Sequence, residues 1–244
     1  MSNKISVITV CFNPGPALKK TINSVVNNMC DNVEYIIIDG KSTDGTVAYL
    51  HEIVSDNNKI KFISEADDGI YDAMNKGISL ATGDWLIFMN AGDEFFTSEI
   101  LKNSYPYLEG DYSIVYGDMY CKGKIVHARK IESLNTGIIM ACHQSMFFNK
   151  RKISQDLKYD LSYPIYGDYE LVVRINNKFR NSTKHINSVI SKYEGGGISD
   201  KTSKQKRVDK YNVLYKYYGL IGVCKGLFYW FFNKMKKGFC RKTL

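Results

Sequence analysis

Carboxylates follow the ends of several short apolar runs in the sequence. They are Asp39 after "YIII", Glu65, Asp67 and Asp68 after "KFIS", Asp93 after "LIFM", and Asp118 after "IVYG". One acid at such a position is usually a turn or helix-capping residue. Several acids that converge repel one another unless a cation or hydrogen-bond donors hold them. Clustering therefore favours a hard divalent cation such as Mg²⁺ or Mn²⁺, which prefers oxygen ligands.

Alternating strand and helix patterns are expected to bring these acids together. Apolar runs predict four strands, at 5–12, 33–39, 60–64 and 84–89. Helical spacing of apolar residues between them predicts helices at 17–28, 46–54 and 69–81. This order is typical of an α/β fold with a mainly parallel central sheet flanked by helices, in which strand ends share one edge and ligands bind there.

The second hundred residues are less regular. Lys122-Gly123-Lys124 predicts a hairpin that extends the sheet, and further patterns predict a short strand at 143–150, a helix at 168–177 and a strand at 185–199. The last of these runs into Gly195-Gly196-Gly197, which is either a loop that closes over a ligand or a flexible connector.

Charge is unevenly distributed along the 244 residues, whose net charge is +8. Residues 201–244 contain 12 Lys and Arg and a single acid, whereas residues 1–200 contain 21 basic and 24 acidic side chains. A slightly acidic body beside a divalent ion suits an anionic ligand such as a nucleotide diphosphate.

The chain enters its first strand directly, which predicts no cleaved signal and a cytosolic protein. Six cysteines without a CxxC pair predict reduced thiols instead of a disulfide framework or a zinc site.

The basic tail also contains 10 of the 32 aromatic residues. Its apolar run "LFYWFF" (227–232) is too short to span a bilayer, which needs about 20 residues. Flanked by lysines, the tail is predicted to be an amphipathic helical anchor on the anionic inner face of the membrane. The alternative is a helical pair packed on the body with a solvated basic face. No nucleic-acid-binding motif accompanies the tail, so a nucleic-acid partner is not expected.

Several motifs in order carry a family resemblance. "SVITVCFNPGPALKKTINSV", "IIIDGKSTDGT" and "SEADDGIYDAMNKGISLATGDWLIFMNAGDE" resemble the family 2 glycosyltransferases of the GT-A fold, over roughly residues 4–130. "GIYDAMNKGI", "CHQSMFF", "YGDYELVVR" and "GGGIS" are similar to its colanic-acid and O-antigen branch and extend the likeness to about residue 199.

The resemblance implies a GT-A (Rossmann-like) domain at 1–200 and the tail at 201–244. Within the domain, 1–110 would bind the nucleotide sugar and 111–200 would form the acceptor side. The implied activity is an inverting transfer of sugar from a nucleoside diphosphate sugar, with a UDP-sugar favoured, to a lipid-linked saccharide of bacterial surface polysaccharide.

The family's site residues carry over to numbered positions here. Implied contacts to the donor are Thr9, Phe12, Asn13, Asp39, Asp67, Gly69, Asn75, Lys76 and Ala91, with His143 and Gln144 as diphosphate or acceptor contacts. Asn75 could equally be a buried amide that ties its helix to the sheet. The family's D-D-G-S is Asp39-Gly40-Lys41-Ser42 here, so that only its first acid is kept.

The metal motif also departs from the family. Its D-x-D-D is Asn90-Ala91-Gly92-Asp93 here, which makes Asp93 the expected ligand of Mn²⁺ or Mg²⁺, assisted by the uncharged oxygen of Asn90. We expect a weakly held metal. Asp168 matches the family's catalytic base, with an ordinary helix cap as its alternative role and Glu170 as an alternative base.

Two other functions stay open at this point. A sugar nucleotidyltransferase would need a glycine-rich basic loop after the first strand, which "NPGPALKK" matches poorly. A catalytically inactive protein that binds sugar nucleotide or membrane would explain the reduced metal motif.

Overall fold

The N-terminal half alternates strands and helices in the predicted order. A computed structural model of the chain describes residues 3–193, 195 and 203–240. The elements of this half are β1 (Ile5–Cys11), α1 (Ala17–Val26), β2 (Val33–Asp39), α2 (Thr46–Asp56), β3 (Ile60–Ser64), α3 (Ile70–Leu80) and β4 (Trp85–Phe88). β1 pairs in parallel with β2 and β4, and β2 pairs in parallel with β3. β1, β2 and β4 are wholly buried, because two apolar cores cover the opposite faces of the sheet.

The second half completes the sheet and adds the C-terminal helix. Its elements are β5 (Glu94–Phe95), α4 (Ile100–Leu108), β6 (Ile114–Cys121), β7 (Lys124–Val126), 3₁₀ turns at Ile131–Thr136 and His143–Ser145, β8 (Met146–Asn149), α5 (Lys150–Ile153), α6 (Gly167–Lys178), β9 (Thr183–Tyr193) and α7 (Lys204–Cys240). The strand order is β3-β2-β1-β4-β8-β6-β9-β5, with β7 beside β6.

The whole sheet is mixed: the predicted parallel pairing holds for β1 to β4 and for the pair β6 and β9, whereas the pairs of β8, β5 and β7 are antiparallel. β8 is antiparallel to both of its neighbours, β4 and β6. The chain between β7 and β8 contains short 3₁₀ turns and no crossover helix. This segment therefore stays at the edge of the sheet where β6 ends, and β8 runs from that edge in the direction opposite to β6.

The hairpin prediction is confirmed, whereas some short elements were not predicted. Cys121 pairs with Lys124 across a turn in which Lys122 (φ 49°) and Gly123 (φ 80°) both have positive φ, as a two-residue hairpin turn requires. The strand predicted at 143–150 divides into a 3₁₀ turn and β8. Of the glycine loop, only Gly195 lies within the described residues.

α7 has two halves that differ in their surroundings. The non-helical backbone of Gly219 (φ 62°, ψ −158°) separates them. In the first half, Val213 and Leu214 are fully buried, and Asp209 accepts hydrogen bonds from the backbone N–H groups of Ile165 (3.0 Å) and Tyr166 (3.3 Å). The sequence alternative of a tail packed on the body is thus correct for residues 204–218.

The second half of α7 exposes large apolar side chains. They are Leu220, Ile221, Leu227, Phe228, Trp230, Phe231, Phe232 and Met235. Within the part of the chain that the structure describes, no helix is long and apolar enough to cross a membrane. All cysteines whose side chains are described are free thiols.

Candidate active site

A cavity of about 980 Å³ opens at the carboxyl ends of β1 and β4. Of the residues predicted from sequence, Phe12, Asn90, Ala91, Asp93, His143, Gln144 and Asp168 line it. These residues come from four separate segments of the chain. The expected convergence of polar groups at the sheet edge therefore occurs, although with fewer carboxylates than the sequence predicted.

Asp93 lies at the end of a tight turn that α1 holds in place. The N–H of Asp93 donates to the carbonyl of Asn90 (2.9 Å), and Gly92 between them has φ 103°. The hydroxyl of Thr21 accepts from the Gly92 N–H (2.9 Å) and lies 2.8 Å from the Asp93 carbonyl. The buried carboxylate accepts a 2.6 Å hydrogen bond from the amide of Gln144. Gln144 therefore orients Asp93.

Asn90 directs one polar atom to His143 and leaves the other without a partner. Its amide nitrogen lies 2.9 Å from Nε2 of His143, while its carbonyl oxygen is buried without a hydrogen bond. Because an amide nitrogen can only donate, Nε2 of His143 accepts and the ring proton lies on Nδ1. A buried acceptor without a donor costs about 1–3 kcal/mol, which a ligand of this oxygen would recover.

The residues present fit a divalent ion that is shared with a phosphate ligand. Within the described residues, no group of three or more His, Cys, Asp or Glu is arranged to hold a metal. Asp93 and the unpartnered oxygen of Asn90 nevertheless offer hard oxygen donors on one turn. Mg²⁺ is commonly held by one or two carboxylates together with phosphate oxygens and water. A site completed by a bound diphosphate is consistent with this pair.

Asp168 lies in the first turn of α6, beside His143 and Tyr71. Its carboxylate is 3.8 Å from Nδ1 of His143 and 3.5 Å from the hydroxyl of Tyr71, and it accepts from the N–H of Tyr169 (2.7 Å). The capping residue of α6 is Tyr166, so Asp168 is not its cap. Burial, reinforced by the charge of Asp168, raises the pKa of Tyr71 far above its usual range. Tyr71 therefore keeps its proton and can donate it in a hydrogen bond.

Sequence reasoning missed Tyr71 and Gly167. A Cβ on Gly167 would lie 2.7 Å from the ring of Tyr71, so glycine permits the ring to approach α6 beside Asp168. The same ring stacks on Tyr159, with centroids 4.9 Å apart. The glycine in "YGDYEL" was the available signal.

Glu170 is a structural residue, which corrects its role as an alternative base. It is fully buried and pairs with Arg174 (3.0 Å) and Lys216 (3.4 Å). Tyr217 of α7 donates to the same carboxylate. Glu170 does not line the cavity. Its carboxylate oxygens instead contact Arg174 of α6 and Tyr217 of α7, and so join the two helices.

Asp39 and Thr9 make their hydrogen bonds within the protein, and their contact with nucleotide stays a prediction. The carboxylate of Asp39 accepts from the N–H of Ser42 (2.9 Å), from the Ser42 hydroxyl and from the hydroxyl of Ser64 (2.6 Å). Thr9 is fully buried and donates to the carbonyl of Met89 (2.6 Å). Both residues shape the edge of the sheet without facing the cavity.

Asp67 occupies the space that the second acid of D-D-G-S would take. A Cβ on Gly40 would lie 2.5 Å from Oδ2 of Asp67 and 3.4 Å from Cβ of Phe12. Lys41, where the pattern has glycine, adopts φ 66°. Position 40 thus lacks a side chain, and a carboxylate from the β3–α3 loop lies there. Phe12 is 65% exposed at this side of the cavity.

Asn13 connects the loops that follow β1 and β2. Its N–H donates to the hydroxyl of Ser42 (2.8 Å), and its side-chain oxygen accepts from the N–H of Thr43 (2.8 Å). Gly69 (φ 111°) donates to Asp67 (2.9 Å) at the start of α3. Neither Asn13 nor Gly69 lines the cavity, and their contact with a donor stays a prediction.

Asn75 and Lys76 belong to the outer side of α3. The amide of Asn75 bonds both the N–H (2.7 Å) and the carbonyl (3.0 Å) of Tyr159, so the structural alternative is correct, with the loop before α6 as partner in place of the sheet. Lys76 donates to the carbonyl of Ala66 (2.6 Å) and pairs with Glu65 (3.0 Å). Its contact with a donor stays a prediction.

Asp118 does not join the other acids. His127 contacts its carboxylate at 2.6 Å, and the N–H of Ala128 donates to it at 2.8 Å. Burial opposes ionisation of Asp118, but these hydrogen bonds outweigh it and lower its pKa.

The chain matches a family model over much of its length. The family is described as Glycosyl transferase family 2, and the match covers residues 6–167. The chain belongs to glycosyltransferase family 2. It is a glycosyltransferase with an α/β fold of the GT-A type.

Relatives of known sequence agree with this family assignment. A PGL/p-HBAD biosynthesis glycosyltransferase of Mycobacterium bovis is 28% identical over 203 residues, 80% of this chain and 78% of the relative. An uncharacterised glycosyltransferase of Mycobacterium tuberculosis is 31% identical over 181 residues, 70% of this chain and 68% of the relative.

Two structures with bound nucleotides share the fold. S. aureus TarS 1-349 in complex with UDP superposes with a TM-score of 0.68 at 14% identity, over 86% of this chain and 64% of TarS 1-349. The mannosyltransferase PcManGT from Pyrobaculum calidifontis, in complex with GDP-Man and Mn²⁺, superposes with a TM-score of 0.65 at 12% identity, over 92% of this chain and 74% of the mannosyltransferase. This glycosyltransferase therefore spans less than two thirds of the TarS fragment.

Proposed function

We propose that this glycosyltransferase moves a sugar from a nucleoside diphosphate sugar to a lipid-linked saccharide, with inversion at the anomeric carbon. One observation carries the proposal: Asp93, the unpartnered oxygen of Asn90 and the carboxylate of Asp168 meet at one cavity. The nucleotide complexes of the structural neighbours support a donor of this class, and UDP-sugars are the favoured donors.

Each part of the cavity has a proposed role. Phe12, which is exposed, would contact the base, and Asp67 above Gly40 would provide the carboxylate near the nucleoside. Asp93, oriented by Gln144, and Asn90 would hold Mn²⁺ or Mg²⁺ together with the diphosphate. A bound divalent ion would neutralise charge on the leaving diphosphate.

Asp168 would act as the base. As the acceptor oxygen bonds to the anomeric carbon, its proton passes to the carboxylate of Asp168, and the bond between that carbon and the diphosphate oxygen breaks. His143 and Tyr71, both beside the carboxylate, would hold it in position. A base on the face opposite the diphosphate gives inversion.

The C-terminal tail and the sequence motifs support a proposal for the location of the enzyme and for its pathway. Residues 1–200 would form the catalytic domain, and residues 201–244 would add both a wall of that domain and the membrane contact. Exposed Phe228, Trp230 and Phe231, flanked by lysines, fit the anionic inner face of the cell membrane, which makes the enzyme peripheral and cytoplasmic. Its pathway would be a bacterial surface polysaccharide of the colanic-acid and O-antigen type.

A screen of nucleoside diphosphates and their sugars tests the donor. With Mn²⁺ present, the correct donor should raise the unfolding temperature, because it binds only the folded chain. Donor hydrolysis should follow and be lost in Asp93→Ala. The control Asp31→Ala changes an exposed acid far from the cavity and should keep the hydrolysis.

No stabilisation by any nucleotide would refute the donor proposal. Binding without turnover of any donor, with a membrane extract as acceptor, would instead identify a catalytically inactive binding protein. The nucleotidyltransferase alternative is not retained, since the chain belongs to a glycosyltransferase family.

A further inference from the structure

The same cavity is also lined by basic and apolar residues that the proposed donor contacts do not use. Its walls include Arg129, Ile138 and Met140 from the segment between β7 and β8, and Lys206 and Lys210 from α7. None of them has a role in the proposed donor site.

Lys210 is a cation without a counter-ion. Among the described residues, no carboxylate pairs with it, and the charge that acts on it is that of Lys206, one helical turn away. Burial and the like charge of Lys206 lower the pKa of Lys210. Its aliphatic stem packs across Gly137, where a Cβ would lie 3.0 Å from the ammonium nitrogen. Lys210 is thus a partly buried cation in the cavity wall, and an anionic ligand would stabilise its charge.

Aromatic residues contact two of the cations in this wall. The ammonium of Lys206 lies 5.9 Å from the ring centroid of Tyr166, two residues before Asp168. Arg129 donates to the hydroxyl of Tyr229 (3.3 Å), which lies in the second half of α7. Lys206 therefore lies near the segment that carries Asp168, and Arg129 contacts the half of α7 that exposes apolar side chains.

We propose that Lys206 and Lys210, with Arg129 beside them, bind the phosphate groups of the lipid-linked acceptor. The inference rests on the proposed function, because it assigns the acceptor end of the same cavity. A phosphate or diphosphate supplies a counter-ion for Lys210, the apolar half of α7 accepts the start of the lipid chain, and the saccharide extends toward Asp168. Lysine is well suited to phosphate, which it binds as a compact charge.

Binding of farnesyl diphosphate and of farnesol tests the proposal. The full chain is first saturated with Mn²⁺ and the nucleoside diphosphate that stabilises it most, so that the donor site is filled. Each probe is then titrated in detergent without vesicles. We expect the wild type to bind farnesyl diphosphate at least about tenfold more tightly than farnesol, since charge-assisted hydrogen bonds are among the strong ones.

The variant Lys206→Met/Lys210→Met removes both charges and keeps the aliphatic stems. It should lose that preference, while its farnesol affinity, nucleotide affinity and unfolding temperature stay unchanged. The matched control Lys204→Met/Lys225→Met removes two exposed lysines of the same helix and should keep the preference. Lys206→Arg/Lys210→Arg, which keeps both charges, should retain most of it.

The outcomes separate this inference from the proposed function. If no nucleotide binds the wild type, the donor proposal fails first. If nucleotide binds but the Met variant keeps the preference for diphosphate, only this inference is overturned. If that variant instead loses binding to phosphatidylglycerol vesicles relative to phosphatidylcholine vesicles and still prefers farnesyl diphosphate in detergent, the lysines bind membrane head groups, and the inference is wrong.

Discussion

The side-chain amide of Gln144 donates a 2.6 Å hydrogen bond to the carboxylate of Asp93. Both residues were predicted from sequence to contact ligands, and the structure joins them to each other. A ligating carboxylate that is itself hydrogen-bonded keeps its orientation, and such partners affect metal affinity without touching the metal.

Gln144→Ala should therefore weaken the apparent affinity for Mn²⁺ in the presence of donor by about 10–100-fold. The measurement is a Mn²⁺ titration of donor hydrolysis, read as the half-saturating concentration. Gln155→Ala, at an exposed position, is the control and should not change it. An unchanged half-saturating concentration in Gln144→Ala would contradict the positioning role.

Asp168→Asn should abolish most transfer and leave donor binding intact. The amide cannot accept the acceptor proton, so kcat should fall by a factor of about 10²–10⁴. Nucleotide affinity, measured by calorimetry, should stay within about twofold, since Asp168 lies on the acceptor side. Full activity in this variant would remove Asp168 as the base.

Glu170→Gln should affect stability first. Its buried carboxylate faces Arg174 and Lys216, which are partly exposed, so loss of its charge and hydrogen bonds should cost about 1–3 kcal/mol. Denaturant unfolding should show this loss, together with weaker attachment of the first half of α7. If Glu170→Gln is as stable as the wild type but inactive, the structural assignment of Glu170 is wrong.

Gly92→Asp restores an acid of the family's metal motif, but the backbone conformation at position 92 disfavours any side chain. Its φ of 103° lies in a region that L-residues rarely adopt, so the variant should lose about 1–3 kcal/mol of stability. Gly92→Ala separates strain from charge. Equal losses in the two variants would attribute the cost to the backbone, whereas a stable Gly92→Ala would contradict the strain argument.

The lowered pKa of Glu34 predicts how the free energy of unfolding depends on pH. Burial disfavours its charge, but hydrogen bonds from Ser6, from the N–H of Thr82 and from Lys4 outweigh that effect and lower its pKa to about 2. Because the folded pKa is depressed, the contribution of Glu34 is complete above its unfolded pKa of about 4.3 and declines as the pH falls toward 2. Glu34→Gln should flatten the loss of stability between these pH values, measured by denaturant unfolding at a series of pH values. Glu99→Gln, an exposed control, should keep the wild-type slope.

Local patterns predicted the first half of the fold and the centre of the site. Asn90, Asp93 and Asp168 follow or begin regular elements, so their positions at the sheet edge could be inferred from periodicity and motif. The direction of β8 could not, because it depends on where the preceding loop runs and not on the residues of the strand.

The roles of buried polar residues were the hardest to infer from sequence. Thr9 and Asn75 are polar residues whose bonds are made inside the protein, and a sequence does not tell whether a buried polar group meets a ligand or a backbone group. The contact of Asp67 with Gly40 joins residues 27 positions apart through the absence of a side chain. Such a contact becomes visible only when distances are known.

The backbone of Gly219 has a consequence for how the enzyme meets its surroundings. The half of α7 before it is anchored by Val213 and Leu214, and the half after it carries the exposed aromatics. One glycine thus sets the angle between the cavity wall and the aromatic segment. If that segment lies in the lipid interface, this single hinge angle fixes the height and tilt of the cavity mouth above the bilayer, and hence the reach required of any acceptor that stays embedded there.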